Sequence, residues 1–217
     1  MIRVGLVAEG PSDWLALEEM IRTIEPDSDF LHIRPDMTLV SGSPHGWKGV
    51  RAWCREMGPI LESFLVADPG LPLHLLVIHL DCTMAHNIEA DRPCPPADAT
   101  SNALREIVTG EWLGRASLPA FVVLTTPSLS TDTWIVAALE PPYQGREPLE
   151  CDRQAERELA RRRLLRLRDG EVKKPAAKYE PLAKQMGQRV DYVCAACSEA
   201  ARFRSELAAA LLAVEFG

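Results

Sequence analysis

The chain has 217 residues, of which 47% are hydrophobic and 25% charged, and its formal net charge is −7. This composition is typical of a globular protein that can bury a full core without a disulfide or a metal to hold it. Charged residues or prolines interrupt every apolar run short of the roughly 20 residues that a membrane-spanning helix needs, so we expect no membrane span. A β-like run occupies residues 2–8, where an export signal would have its basic and apolar regions, and we therefore expect a cytoplasmic protein.

The net charge is unevenly distributed along the chain. Residues 1–150 carry 10 Lys and Arg against 21 Asp and Glu, a balance of −11, whereas residues 151–217 carry 14 against 10, a balance of +4. An acidic body followed by a basic tail indicates an anionic partner that meets the tail.

Strand and helix signals alternate through the first 140 residues. Ser12 or Asp13 is a capping residue for the first helix. Pro35 cannot donate to a strand ladder, which predicts an edge position for the second strand, and Gly58-Pro59 predicts a kink or break in the second helix. The predicted elements are strands at 2–8, 31–40, 75–80 and 120–125, with helices after the first strand and at 48–66, 99–113 and 131–139.

This alternation predicts an α/β fold, because parallel strands need crossover connections and those connections are usually helical. We expect a mostly parallel sheet of four to five strands with helices on both faces, formed by residues 1–140. Prolines and a glycine in 140–151 indicate a linker or a long loop, and helices are predicted at 152–168, 179–187 and 191–213. Residues 141–217 are therefore expected to form a basic helical extension that packs on the α/β domain.

Acidic residues follow several of the predicted strands. Glu9 comes after the first strand, Asp81 after the third and Asp132 shortly after the fourth, and Asp13 lies one turn from Glu9. The carboxyl ends of parallel strands meet at one edge of the sheet, where ligands bind. Carboxylates that converge there predict a site for Mg²⁺ or Mn²⁺ and chemistry on a phosphodiester. The alternative is structural, with Asp13 and Asp132 as helix caps and Asp81 as the end of a strand.

The basic tail supplies candidate phosphate-binding residues. On the predicted helix over 152–168, four arginines fall in one sector, and lysines follow directly after it. Such a stripe can neutralise backbone phosphates of a nucleic acid without reading its sequence. The alternative is a solvated helix face whose arginines pair with Glu156 and Glu158. The candidates are Arg153, Arg157, Arg161, Arg168, Lys173, Lys174 and Lys178.

The six cysteines are expected to be thiols, since the chain shows no export signal. Cys194 and Cys197 are interpreted as buried small residues, because a zinc ribbon would need a second pair. A zinc hydrolase site within residues 79–94 is a third hypothesis, although its spacing matches no standard ligand template. Its ligands would come from His79, Asp81, Cys82, His86 and Cys94.

Three short segments resemble a known family. The sequence Ala-Glu-Gly-Pro-Ser-Asp at 8–13, Ile-His-Leu-Asp at 78–81 and Thr-Asp-Thr-Trp at 131–134 are similar to the Toprim fold of topoisomerases, primases, small nucleases and OLD-family nucleases. More narrowly, they resemble bacterial Toprim-like families of unknown function, akin to RloB, that are often found among phage-defence genes. Residues 178–207 are also similar to the end of those families.

The resemblance implies roles for particular residues. Glu9 stands where the Toprim glutamate acts as metal ligand or general base, and Asp81 where the first acid of the Asp-x-Asp pair binds the cation. The chain departs from the pattern at Thr83, where the second acid is expected, and at Asp132, where a glutamate is expected before the Trp.

Two functions follow as the main hypotheses. The first is a Mg²⁺- or Mn²⁺-dependent nuclease, or a related phosphodiester-processing protein, whose partner is a nucleic acid. The second is a non-catalytic Toprim-like interaction module that works with a partner ATPase, and it is favoured by the acid missing at Thr83. The sequence leaves the oligomeric state open.

Overall fold

The computed structural model describes residues 1–35, 45–65, 72–145 and 148–216. Within these ranges the main sheet has four parallel strands in the order β2-β1-β3-β4, which confirms the predicted α/β class. The strands are β1 (Arg3–Val7), β2 (Asp29–Arg34), β3 (Leu75–His79) and β4 (Val122–Thr125). The helices of this part are α1 (Pro11–Arg22), α2 (Trp47–Met57), α3 (Leu61–Leu65), α4 (Ala99–Ile107) and α5 (Thr131–Ala137).

Helices cover both faces of the sheet, as predicted. Every residue of β3 is buried, which is typical of a central parallel strand. Leu75 and Val77 pack into a core with α1 and α5, whereas Leu76 and Ile78 pack into a second core with α2 and α4. Because successive side chains of a strand point to opposite faces, the sheet separates these two cores.

Contacts of its first turn hold helix α1 in place. Pro11 occupies its first turn, where a missing N–H has no cost, and the Asp13 carboxylate accepts a hydrogen bond from the Gly10 amide at 2.9 Å. Trp14 stacks on His32 with ring centroids 4.1 Å apart and donates to the Arg34 carbonyl at 2.8 Å. These contacts tie α1 to the edge strand β2.

The second strand and second helix differ from their predicted bounds. Strand β2 does lie at an edge, but it begins at Asp29 and ends at Arg34, and the predicted residues 36–40 lie outside the described residues. The helix predicted over 48–66 is divided into α2 and α3 by a 3₁₀ turn over Gly58–Ile60, where Pro59 cannot continue the helical bonding. Gly58 is required there, since a Cβ would lie 2.5 Å from the Leu113 carbonyl oxygen.

The C-terminal extension contains a hairpin that the sequence analysis missed. The helix predicted over 152–168 is wrong, because α6 covers only Arg157–Arg161 and residues Arg166–Arg168 form strand β5, which pairs with β6 (Glu171–Lys173). Asp169 and Gly170 have φ of 54° and 81°, as the two-residue turn of a hairpin requires. The arginines at 153, 157, 161 and 168 therefore do not form one helical stripe.

Three further helices complete the extension. They are α7 (Ala176–Gln188), α8 (Val190–Ala196) and α9 (Ser198–Phe216), so α7 begins three residues before the prediction and the closing helix is divided at Cys197. Helix α7 packs on α1, and α9 packs on β4. Phe203 of α9 stacks on Trp134 of α5 with centroids 6.0 Å apart, and both side chains are buried in the first core. Packing of the extension thus continues the core of the α/β part.

A disulfide also connects the two parts of the chain. Cys94 and Cys151 are bonded, with their Cα atoms 5.6 Å apart, so the expectation of thiols is wrong for these two. The other four cysteines, including Cys194 and Cys197, are free. Cys197 is fully buried as expected, whereas Cys194 is only partly buried, so the prediction is wrong for Cys194. The two bonded residues are 57 positions apart in sequence, and only the fold brings them within bonding distance. None of the described helices has the length and apolar character to cross a membrane.

Packing of α9 predicts unequal effects for two identical substitutions. Leu207 is fully buried, whereas Leu212 on the same helix is 56% exposed. Leu207→Ala should lower the free energy of unfolding by about 2–5 kcal/mol through lost burial and a cavity. Leu212→Ala should change it by about 0.5 kcal/mol or less. Urea unfolding of both variants measures this, and equal effects would show that α9 does not share the core.

Candidate metal centre

The ends of the two central strands bring Glu9 and Asp81 together. β1 and β3 are adjacent and parallel, and each acid follows its strand by two residues, so both lie at the carboxyl edge of the sheet. The Asp81 amide donates a hydrogen bond to Glu9 Oε1 at 2.8 Å. The other oxygen, Oε2, faces Gly46, where a side chain would begin 3.7 Å away.

Asp13 joins this edge through the first turn of α1. Its Oδ2 accepts a hydrogen bond from the amide of Gly10, which is the N-cap residue of α1, so the prediction that Ser12 or Asp13 caps this helix is wrong and Asp13 is its third residue. Its Oδ1 accepts from the Thr131 hydroxyl at 2.8 Å, and the Thr131 amide donates to Asp81 Oδ1 at 3.3 Å. The first residue of α5 therefore holds two acids that are 68 positions apart in sequence.

His79 lies between these two acids. It continues the alternation of Leu75 and Val77, so its side chain points to the same face of the sheet as α1. The Nδ1 atom is 3.9 Å from Asp13 Oδ2, and the Nε2 atom is 3.1 Å from Asp81 Oδ1 without the alignment of a hydrogen bond. The ring is fully buried, and neither nitrogen has a hydrogen-bond partner among the described residues.

Burial and mutual charge shift the pKa values of Glu9, Asp13 and His79. Burial, together with the charge of Asp81, raises the pKa of Glu9 from 4.5 to about 8. Burial also raises the pKa of Asp13, although His79 opposes this. Burial lowers the pKa of His79, but the charges of Asp13 and Asp81 outweigh it and raise this pKa from 6.5 to about 9. The edge is therefore an acidic cluster with insufficient positive charge of its own.

These residues fit a divalent cation. One ligand atom from each of Asp13, His79 and Asp81 lies within 4.8 Å of the others. Ligands on opposite sides of such an ion are about 4–5 Å apart, since each metal–ligand bond is about 2.0–2.4 Å long. The side chain of Asp81 is 17% exposed, so water or substrate can reach the ion from that side. The buried group Asp13, His79 and Asp81 could thus bind a metal ion.

Asp132 has other partners. It is fully buried at the start of α5, where its carboxylate contacts the Lys174 ammonium and accepts from the Tyr179 hydroxyl at 3.0 Å. Burial lowers the pKa of Lys174, but Asp132 and, less strongly, Asp81 and Asp13 raise it overall, so the ammonium stays charged beside the cluster. The role of Asp132 as a metal ligand stays a prediction, and the structure shows it bound to a lysine of the C-terminal extension.

The other candidate phosphate ligands lie farther along the extension. Arg153 pairs with Asp91 at 2.6 Å, Arg161 with Glu158 at 3.0 Å, and Arg157 donates to the Gln154 side chain at 3.2 Å. Arg153 and Arg161 line an open cavity of about 930 Å³, and Lys178 is exposed on α7. Their role in phosphate binding stays a prediction, whereas the pairing of Arg161 with Glu158 agrees with the solvated-face alternative.

The zinc hypothesis for residues 79–94 does not agree with the structure. Cys94 is bonded to Cys151, and Cys82 directs its thiol to the Thr126 carbonyl at 3.5 Å. His86 lies on an exposed turn, where Nδ1 is 2.8 Å from the Thr83 carbonyl oxygen. Across the described ranges, His79 and Asp81 group with Asp13 instead.

Sequence reasoning missed two features of this site. The sequence predicts His79 only as a possible zinc ligand together with the residues that follow it. In the structure, its position in β3 places it on the face that α1 covers. The contact between Lys174 and Asp132 spans 42 positions and had no local signal.

The chain was compared with family models, with curated proteins and with solved structures. None of the three comparisons found a significant match.

The pKa values predict how stability varies with pH when metal is removed by a chelator. Folded Glu9 keeps its proton up to about pH 8, whereas the unfolded carboxyl releases it near 4.5. The folded state therefore binds more protons in this window, and its stability falls as the pH rises through about 8. Glu9→Gln stays neutral and should remove about 1–4 kcal/mol of this fall, measured by urea unfolding from about pH 5 to about pH 9.

His79 contributes in the same direction, because its folded pKa is also raised, so some fall should persist in Glu9→Gln. Glu106→Gln, on an exposed position of α4, is the matched control and should follow the native protein. Identical pH profiles for Glu9→Gln and the native protein would disprove the raised pKa of Glu9.

Proposed function

We propose that this protein is a divalent-cation-dependent nuclease, or a related phosphodiester-processing enzyme, of the Toprim-like type. The observation that carries the proposal is the buried group of Asp13, His79 and Asp81 at the carboxyl edge of a parallel sheet, with Glu9 bonded to the Asp81 amide. Mg²⁺ or Mn²⁺ is the proposed cofactor, since both ions accept carboxylate ligands and keep water molecules for a substrate phosphate.

The charges around the site suit a phosphodiester. A divalent cation, when bound, supplies positive charge to the phosphate oxygens and polarises the phosphorus centre. Lys174 adds a fixed ammonium beside the cluster, held by Asp132, whose carboxylate also accepts a hydrogen bond from the Tyr179 hydroxyl. Arg153, Arg157, Arg161 and Lys178 would bind phosphates farther along a nucleic acid, without reading its bases.

Glu9 has the properties of a general base. Its pKa of about 8 lies near neutral pH, where proton transfer in both directions is most effective. Its Oε1 atom is fixed by the Asp81 amide, which leaves Oε2 to receive a proton from an attacking water. Glu9 would then act beside the cation rather than as one of its nearest ligands.

One observation favours a second function. Thr83, which stands where a Toprim site has its second acid, is exposed on the 3₁₀ helix Cys82–Ile88, and its amide donates to the Leu129 carbonyl at 3.1 Å. A site without this carboxylate would suit a non-catalytic module that works with a partner ATPase in the cytoplasm, for example in phage defence. The two functions differ in whether the cluster binds a cation.

The first test is a nuclease assay on single-stranded DNA, duplex DNA and RNA with Mg²⁺ or Mn²⁺. Glu9→Gln and Asp81→Asn should each lower the cleavage rate by about 10²–10⁴-fold, because they remove a proton acceptor and a metal ligand. Asp27→Asn, at an exposed position after α1, is the matched control and should cleave at the native rate. Equal rates for the native protein and all three variants would contradict the proposal.

The second test separates the enzyme from the interaction module by calorimetry. The native protein should bind Mn²⁺, and Asp81→Asn should lose this binding, whereas Asp27→Asn should retain it. No detectable binding to the native protein would support the module and contradict the enzyme. Circular dichroism of each variant confirms that the fold is kept.

A further inference from the structure

We infer that the site selects a first-row transition-metal ion over Mg²⁺ through direct coordination by His79. The inference rests on the proposed function in one respect, since it places the ion at the same carboxylate edge of the sheet. It goes beyond that function because it assigns the choice of metal to the nitrogen ligand.

The ring of His79 is buried, and its nitrogens have no hydrogen-bond partner among the described residues. A buried polar side chain normally has a hydrogen-bond partner, because an unpaired polar atom in the interior costs about 1–3 kcal/mol. The side chain of His79 is fully buried from water. Both of its ring nitrogens lack a hydrogen-bond partner in the part of the chain that the structure describes. A metal bond to one nitrogen would satisfy the ring.

The neighbour of His79 on the adjacent strand β4 also has a buried polar group without a hydrogen-bond partner among the described residues. Thr125 is paired with His79 in the register of β3 and β4, and its side chain points to the same face, since it continues the alternation of Val123. The Thr125 hydroxyl is buried and also lacks a partner among the described residues. Two adjacent unpaired polar groups on one face indicate that this edge binds something polar.

The imidazole ring of His79 is oriented between two carboxylates. The two nitrogens face different carboxylates, with Nδ1 3.9 Å from Asp13 and Nε2 3.1 Å from Asp81. When one nitrogen binds an ion, the other can donate its hydrogen to the carboxylate on its side. This arrangement of carboxylate, histidine and metal fixes the tautomer and makes the imidazole a better ligand.

The type of ligand atom determines which metal ion the site prefers. Mg²⁺ requires oxygen ligands in near-ideal octahedral geometry, whereas imidazole suits ions such as Fe²⁺, Co²⁺ and Zn²⁺, and the affinity of a mixed nitrogen and oxygen site rises from Mn²⁺ towards Cu²⁺. An all-carboxylate edge would prefer these ions less strongly, because imidazole suits them better than carboxylate does. Replacing one oxygen ligand by His79 therefore shifts the site from Mg²⁺ towards the transition series.

The experiment uses Mn²⁺ as a spectroscopic probe on the full-length protein after treatment with EDTA. Pulsed electron paramagnetic resonance detects a nitrogen atom bonded to Mn²⁺, and labelling all histidines with ¹⁵N changes that signal. We expect a histidine nitrogen coupling in the native protein, and calorimetry should show Mn²⁺ and Co²⁺ binding at least about 10-fold more tightly than Mg²⁺.

Variants assign the nitrogen to one residue. His79→Gln should lose the nitrogen coupling and about 10–100-fold of the affinity for Co²⁺, while its affinity for Mg²⁺ changes less. His86→Gln is the matched control, because His86 is exposed and lies seven residues farther along the chain. It should keep both the coupling and the affinities.

The outcomes separate this inference from the proposed function. A nitrogen coupling in a protein that cleaves no nucleic acid would support His79 as a ligand and contradict the nuclease. Cleavage with Mg²⁺ together with an all-oxygen Mn²⁺ spectrum would support the nuclease and overturn the inference, as would native protein that binds no Mn²⁺. The ¹⁵N comparison uses native protein only, so the absence of a histidine coupling overturns the inference even where His79→Gln does not fold.

Discussion

Carboxylates buried at one edge of a sheet need positive charge beside them, and this requirement connects the two parts of the chain. Asp13 and Asp81 flank His79, whereas Asp132 contacts Lys174. Because Lys174 belongs to the C-terminal extension, Asp132 has its positive partner only when the extension is folded onto the sheet. Residues 1–150 have a charge balance of −11 and residues 151–217 a balance of +4. The ion pair of Asp132 with Lys174 joins these two parts of the chain. The hairpin of β5 and β6 ends directly before Lys174 and fixes its position.

The α/β part was largely predictable because its signals are local. Strands that are buried on both faces are continuous apolar runs, and acids directly after them must lie at the same edge when the strands are parallel. Glu9 and Asp81 could therefore be placed together from sequence. His79 could not be assigned to the site in the same way, since alternation gives its face only relative to its neighbours. Which face α1 covers is decided by the handedness of the crossover and the packing of Trp14 against β2.

The secondary structure of the extension was predicted less well than that of the α/β part. Similar spacings of charged residues occur in helices and in hairpins. Four arginines with helical spacing favoured one long helix, but Asp169-Gly170 is a hairpin signal that outweighs this periodicity. The disulfide between Cys94 and Cys151 and the contact of Lys174 with Asp132 join distant parts of the sequence. Such contacts depend on the complete fold, so no local pattern predicts them.

Lys174 and His79 can both carry positive charge at the site. They differ in whether a metal ion can take the place of that charge. Lys174 is bonded to Asp132 and cannot act as a ligand while it is protonated, so it remains a fixed charge. His79 can exchange its proton for a metal, because imidazole is a ligand once it is neutral. The lysine therefore neutralises Asp132 permanently and leaves Asp13 and Asp81 for an exchangeable ion. In this arrangement Asp132 is paired with the extension, so an ion bound by Asp13, His79 and Asp81 would have few charged ligands and would keep coordination positions for water.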